Sequence, residues 1–348
     1  MSFVFFVVQT KKDLRQIIYV DAPSRSALAK HGLRNLRTNL QSMIIGIDIG
    51  GTSTKIGVVD NGRVIATTRI PTTGHADEFA FADALAEAAL QLGTDHRSPA
   101  TDHQIQAIGI GAPNANQHTG IIEMAPNLPW KNDVPLARMV EERTGIRSVL
   151  GNDANAAALG ERRYGAGQGY NDLLLVTLGT GVGSGFIVNG QLVLGSHGNA
   201  GELGHMTIVI DGRDCTCGRK GCLEAYVSIR GLRQTFLELD GDAEVLKEEG
   251  VLCIAKAAEQ GDAAALQTFR HAARWLAVGL ANAVAITGPE RIVLFGGIAR
   301  SGDLLMVPLQ ERFQEYLLNI YHGRVDLVAS ALPDDDAAIL GAAALTTL

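Results

Sequence analysis

The chain has 348 residues, too many for one small core, and at about 100–200 residues per domain this length implies two domains with a cleft between them. Hydrophobic residues make up 46% and charged residues 19%, a balance that excludes a disordered chain. A net charge of -7 excludes a surface built to neutralise nucleic-acid phosphates, which leaves small-molecule chemistry as the expected class, with no nucleic-acid partner.

Residues 1–42 differ in composition from the remainder of the chain. They carry seven Lys/Arg against two Asp, a net +5 that leaves -12 for the other residues, and they read as a basic appendage ahead of a domain beginning at Met43. A mis-assigned start codon is one explanation of such a segment. The apolar run from Phe3 to Val8 is far short of the roughly 20 residues of a membrane span. Lys11 and Lys12 come after that run instead of before it, against the order of a signal peptide. No membrane partner is expected.

From Met43 the elements come in quick order. Met43–Ile49, residues 55–59 and residues 64–70 are strand-like, and Asp60, Asn61 and Gly62 give a hairpin-turn signal, so an antiparallel meander opens the domain. Residues 78–92 are Ala/Leu-rich and helical, and residues 105–110 form the next strand, stopped at Gly111 and Pro113. Leu173–Leu178 is a buried-type strand, residues 263–286 a long amphipathic helix ended by Gly288 and Pro289, and Arg291–Phe295 another strand. The class is α/β. No repeat of fixed period is present, yet glycine turns recur after three strands, at Gly50, Gly179 and Gly296.

Each of these turns suits a phosphate. Asp48 ends a strand before Gly50, Gly51 and Thr52, whose backbone N–H groups can approach phosphate oxygens because no side chain intervenes. Asp48 suits a magnesium ion, which takes one or two carboxylates together with substrate phosphates, and Lys55 adds positive charge. Gly179, Thr180 and Gly181 succeed the second strand with the same logic, but neither the P-loop nor the dinucleotide fingerprint is matched. Gly296 and Gly297 let backbone approach an adenosine or its α-phosphate. Singly, each turn is also an ordinary tight turn.

Of four cysteines, Cys215, Cys217 and Cys222 crowd into CTCGRKGC, with His205 ten residues upstream. This Cys3His set suits tetrahedral zinc, and four protein ligands leave no open position, so the ion is structural. A metal clip in place of a disulfide framework implies a reducing, cytoplasmic setting. Glu202, three residues before His205 and potentially on one helical face with it, and Glu224, two after Cys222, are placed to receive sugar hydroxyls. Solvated surface acids are the plainer reading of either glutamate taken alone.

In GNDANAAALGERRYG, Asn152 and Asp153 precede an alanine-rich helix. Either side chain can cap it. If Asp153 faces a cleft, the helix N-terminus favours its ionised form, and the carboxylate is a competent base for a hydroxyl in phosphoryl transfer.

Taken together, DIGGT, NLPW, NDANAA, LGTGVGSG, AGELGH, CTCGRKGC with its succeeding LE, and FGG occur in the order seen in the ROK family of sugar kinases and regulators. The resemblance spans Met43 to Leu348. It implies a two-lobed actin-like ATPase (ribonuclease H-like) fold with the active site in the interlobe cleft. The lobes are residues 43–157 and 158–336, the second with the zinc loop, and a C-terminal helix at 337–348 returns to the first. By motif, Asp153 is the general base for the sugar's 6-hydroxyl, and Asn127, Asn152, Glu202, His205 and Glu224 bind the sugar. Phosphate contacts fall on Gly50, Gly51, Thr52, Thr180 and Gly181, adenosine contacts on Gly296 and Gly297, and Mg2+ lies near Asp48. The resemblance is greatest to the glucokinases of the family, which implies MgATP and glucose as substrates and a homodimer or larger homo-oligomer.

One departure is GAPNAN, with Asn114 where many relatives carry glycine. N-acetylglucosamine, N-acetylmannosamine, mannose and fructose remain alternative sugars, because a single hydroxyl or acetamide change depends on pocket shape. A sugar-responsive transcriptional repressor is the alternative from another class, since SRSALAKHG faintly resembles the start of a helix-turn-helix.

Overall fold

The computed structural model describes residues 43–96, 104–124, 128–248 and 250–347. The basic appendage, with SRSALAKHG, lies outside the described residues, and so does Asn127.

Two five-stranded sheets organise the molecule. The first contains β1 (Met43–Ile49), β2 (Ser53–Asp60), β3 (Arg63–Pro71), β4 (Ile105–Ala112) and β7 (Ser148–Asn152) in the order β3-β2-β1-β4-β7. The second contains β8 (Leu173–Leu178), β9 (Val182–Val188), β10 (Gln191–Leu192), β11 (Arg291–Phe295) and β12 (Asp326–Ala329) in the order β10-β9-β8-β11-β12. In both, the first three strands form an antiparallel meander and the last two run parallel to the first. The same topology therefore occurs twice, although the sequence carries no repeat of fixed period. A small hairpin of β5 (Ala115–Asn116) and β6 (Ile121–Ile122) comes after β4.

Helices complete the layers: α1 (Glu78–Asp95), α2 (Leu136–Thr144), α3 (Asp153–Tyr164), α4 (Glu224–Val227), α5 (Ile229–Glu238), α6 (Leu252–Glu259), α7 (Ala263–Thr287), α8 (Asp303–Tyr316) and α9 (Asp334–Ala344). Strand alternation decides which core each side chain joins. Ile45, Ile47 and Ile49 of β1 bury against Phe81 and Leu85 of α1, whereas Ile44 points to Ile339 and Leu340 of α9. Likewise Leu174, Val176 and Leu178 of β8 join the α7 core, and Leu173 and Leu175 face α3. A strand buried on both faces shows the continuous apolar run that made β8 and β11 legible.

Turn and cap chemistry agrees with the sequence. Asn61 (φ 49°) and Gly62 (φ 75°) turn the β2–β3 hairpin in the left-handed region that a two-residue loop requires. Asp262 caps α7 by accepting from the Ala265 N–H at 2.7 Å, and Gly288 (φ 55°) ends it in a left-handed cap.

Glycines let α9 touch sheet backbone directly. A Cβ at Gly46 would lie 2.2 Å from the Ile339 carbonyl oxygen, and one at Gly109 would lie 1.9 Å from that of Ala342. On the opposite side, Gly160 of α3 and Gly341 of α9 meet across a contact in which a Cβ at Gly160 would lie 2.8 Å from the Gly341 Cα. Because the blocking atoms are backbone, no rotamer change relieves a substitution. We expect Gly109→Ala to destabilise the protein by about 1–3 kcal/mol, measured by urea denaturation, by prising α9 from the first sheet.

Candidate active site

Asp153 opens α3, and its neighbour does the capping. The Asn152 Oδ1 accepts from the Ala154 N–H (2.9 Å) and the Asn155 N–H (3.2 Å), while the Asp153 Oδ1 also accepts from the Ala154 N–H (2.8 Å). Asp153 is open to solvent at its surface yet closely surrounded by protein. Burial raises its pKa above the ordinary carboxylate value, and the hydrogen bonds at the helix end only partly offset it. The hydrogen bonds at the helix N-terminus favour the ionised form, as expected, but desolvation is the larger effect.

Asp48, at the end of β1, lines a cavity of about 250 Å³ together with Asp153 and Thr177. Its pKa is pushed up to about 6, first by burial and then by the Asp153 charge, against the lowering effects of Lys55 and Arg69. Lys55 is its cross-strand partner in the β1–β2 register, which puts the positive charge where the sequence pattern places it.

In the glycine turns, the first N–H is used internally. Gly50 donates to the Ser53 carbonyl (3.1 Å) and Gly179 to that of Gly181 (3.0 Å), so Gly51, Thr52, Thr180 and Gly181 are the turn residues that can meet a ligand. A Cβ at Gly179 would meet nothing within 4 Å, so glycine is not sterically required there. Gly296 (φ 104°) does require it, since a Cβ would lie 2.5 Å from the Leu178 carbonyl oxygen. That contact sets the Gly296–Gly297 turn beside the turn at the end of β8.

His205, Cys215, Cys217 and Cys222 come together with their donor atoms all within 4.8 Å of one another. The Cys217–Cys222 sulfurs are 3.7 Å apart, and Cys215 Sγ is 3.7 Å from His205 Nδ1. A tetrahedron with Zn–S bonds of about 2.3 Å has an edge of about 3.8 Å, so the donor set fits zinc. Gly221 (φ 71°) closes the loop where a Cβ would lie 1.7 Å from the Val209 carbonyl oxygen. Arg213 ties it down by donating to the carbonyls of Ala225 and Gly231 and to Thr235 Oγ1. Glu202 is not on an α-helix with His205: it flanks a single 3₁₀ turn, Leu203–His205.

Two glutamates connect this loop to the rest. The Glu224 Oε2 accepts from the Val182 N–H (3.0 Å) beyond the second glycine turn, and its Oε1 accepts from Thr216 Oγ1 (3.1 Å) inside the cysteine loop. Glu202 has a raised pKa, chiefly from burial; His205 lowers it, and Asp153 and Glu224 raise it. Asp48, Asp153, Glu202 and Glu224 are therefore linked by mutual electrostatic effects. Asn152 and Glu202 line a second cavity of about 170 Å³, with Asn114, Glu123, Asn155 and Ser184.

The profile described as the ROK family matches residues 44–347. A glucokinase of Streptomyces coelicolor is 36% identical, over 87% of this chain and 97% of its own length. This chain belongs to the ROK family. The structure of a ROK family glucokinase from Streptomyces griseus in complex with glucose and AMPPNP aligns with a TM-score of 0.71 at 35% identity, covering 87% of this chain and 99% of that one. A putative xylose repressor of a Caldicellulosiruptor species is 35% identical over 71% of this chain and 64% of its own length. The fold is the two-lobed actin-like ATPase fold, built on the two five-stranded sheets.

Several residues lining the second cavity escaped sequence reasoning. Asn155 was within reach, because it lies three residues after Asn152 on the first turn of α3. Glu123 carried no motif signal, and Ser184 lay within LGTGVGSG with nothing to mark it as cavity-lining. Asn114, the departure from glycine, has φ 51°, a left-handed conformation that asparagine tolerates better than most residues, and its Nδ2 donates to the Glu123 carbonyl (3.2 Å).

Because the folded pKa of Asp48 lies above its ordinary value of 3.8, its stabilising contribution is present below that value and is lost as pH rises through about 6. Asp48→Asn removes this loss. We expect the variant to gain stability over the parent on going from acidic to neutral pH, by on the order of 2 kcal/mol, in denaturation series of the ligand-free proteins.

Proposed function

We propose that this chain is an ATP-dependent hexose kinase that transfers the γ-phosphate of MgATP to the 6-hydroxyl of glucose. The observation that carries this reading is the placement of Asp153 in the wall of the cavity that Asp48 and Thr177 also line, directly after Asn152, which lines the second cavity with Glu202. The glucokinase relatives, one of them seen with glucose and a nucleotide analogue, support the same reading.

In the proposed reaction Asp153 accepts the proton of the 6-hydroxyl as its oxygen attacks the γ-phosphorus, and ADP leaves. A carboxylate with a raised pKa is a stronger base than an ordinary one, which suits this task. Asn152, Glu202, His205 and Glu224 hold the sugar hydroxyls. With His205 Nδ1 turned toward Cys215, its other ring nitrogen remains for the sugar. Gly50, Gly51 and Thr52 form the first phosphate turn, Thr180 and Gly181 the second, and Gly296 and Gly297 take the adenosine side. Asp48, a crowded carboxylate with Lys55 nearby, would hold Mg2+, which supplies positive charge against the phosphates. Zinc in the Cys3His set would fix the loop that carries Glu224 without entering the reaction.

Four free cysteines support a reducing, cytoplasmic setting, and no described helix is long and apolar enough to cross a membrane. A homodimer or larger homo-oligomer is the assembly proposed. The repressor relatives, together with the basic segment 1–42, favour a sugar-responsive regulator as the second reading.

A coupled assay of ADP release with a panel of hexoses and MgATP tests the kinase reading. Glucose should give the highest turnover, and Asp153→Ala should lower kcat by about 10²–10⁴-fold; a folded, zinc-loaded parent that phosphorylates no sugar would leave the regulator reading. Metal analysis of the purified protein should find one zinc ion per chain, which Cys222→Ser loses together with thermal stability.

A further inference from the structure

The cavity beside Asn152 has a wall that the proposed reaction leaves without a task. Its described lining contains four asparagines, one serine and two glutamates, and no lysine, arginine or histidine. The second glutamate, Glu123, lies just past β6 and is held in place from behind. Its Oε1 accepts from the Asn116 Nδ2 at 2.7 Å, and its Oε2 accepts from the Asn199 Nδ2 at 3.4 Å.

Asn116 is only 4% exposed and fully committed. The same Nδ2 donates to the His197 carbonyl (2.8 Å), and its Oδ1 accepts from the His118 N–H (3.0 Å). Glu123 thus has a fixed position, neutral amide partners, and no ion pair among the described residues. A carboxylate offers about four acceptor positions, and the two amides fill two, so acceptor capacity remains at the cavity that Glu123 lines. Asn155, in the same cavity wall, is also 4% exposed, and its Oδ1 has no partner. Glu123, Glu202 and the Asn155 Oδ1 thus offer acceptors to an occupant, and no cationic side chain is among the described lining.

We infer that Glu123 is a specificity-determining residue of the sugar pocket, accepting a hydrogen bond from the ring substituents, and that it makes an amino-hexose carrying an ammonium group a substrate for the same transfer. The inference rests on the kinase reading. The amine takes no part in the bond changes: the 6-oxygen bonds to the γ-phosphorus, the bond to ADP breaks, and the hydroxyl proton passes to Asp153. The ammonium gains a charge-assisted hydrogen bond to Glu123, which is stronger than the neutral one a hydroxyl makes at the same place. A purely structural Glu123, stapling the β5–β6 hairpin to residues 197–199, would affect all sugars alike.

The experiment compares kcat/KM for glucosamine and for glucose, with MgATP, in the parent and in Glu123→Gln. The expected result is a glucosamine-to-glucose ratio at least about tenfold lower in the variant at mildly acidic pH. In the parent alone, glucosamine binding by calorimetry without nucleotide should weaken at alkaline pH, where the amine loses its proton, while glucose binding does not; binding that is equally strong at alkaline pH overturns the ammonium contact even if the variant fails to fold. An unchanged ratio, or glucose turnover with no use of glucosamine, overturns the inference and leaves the kinase reading intact. A parent that binds and phosphorylates neither sugar overturns both.

Discussion

Everything in the site depends on how closely α3 approaches its neighbours. A Cβ at Gly185 of β9 would lie 2.5 Å from the Ala158 Cβ and 2.9 Å from the Ala154 carbonyl oxygen, and one at Gly183 would lie 2.9 Å from the Ala154 Cβ. On the side of α9, Gly160 and Gly341 meet with no side chain between them. The helix is thus wedged between the second sheet and α9 by contacts involving backbone and methyl groups, which have little freedom to adjust. This explains the alanine-rich composition of the segment and fixes Asp153 at its first turn. Its far end is held as firmly: Glu161, 1% exposed, accepts from the Ala166 N–H at 2.7 Å and from the Ser330 hydroxyl at the approach to α9.

Glu224 extends this rigidity to the second glycine turn. One carboxylate oxygen binds the backbone just beyond Gly181, and the other binds Thr216 between two of the cysteines. A Cβ at Gly181 would lie 2.7 Å from that first oxygen, so the turn is shaped around the glutamate. The cysteine loop and the turn therefore share one side chain. Whatever orders the loop also orders the turn, which gives a structural metal a physical route to a site it does not enter.

The legible parts of the sequence are those that one element determines by itself. β8 and β11 begin and end where the apolar runs do, because both faces are covered, and α7 carries its own cap and stop in Asp262 and Gly288. The cysteine set was legible because ligand type and spacing are local. The duplicated sheet topology was not, since two sheets can share strand order without sharing residues. Nor was Glu123, which reaches the cavity wall only because Asn116 bridges the β5–β6 hairpin to the His197 carbonyl, 81 residues further along the chain. The raised pKa of Asp153 was not legible for a related reason. The helix terminus is visible in the sequence, but the protein packed around the carboxylate is not, and burial is the larger effect.

The concentration of acids also sets a condition on what the site accepts. Asp153 raises the pKa of Asp48, and Asp153 and Glu224 raise that of Glu202, so each ionisation makes the next more costly. For a sugar this is an advantage, because hydroxyls are donors and each carboxylate is an acceptor. For a nucleotide it is an obstacle, since the same field repels phosphate. In the proposed reaction the phosphates are accommodated where the chain offers backbone N–H groups in place of carboxylates, at Gly51–Thr52 and Thr180–Gly181, with Lys55 on the adjacent strand. In that reaction the acids and the glycine turns form one arrangement: the acids would provide a strong base for the hydroxyl, and the turns would allow a polyanion to come within reach of it.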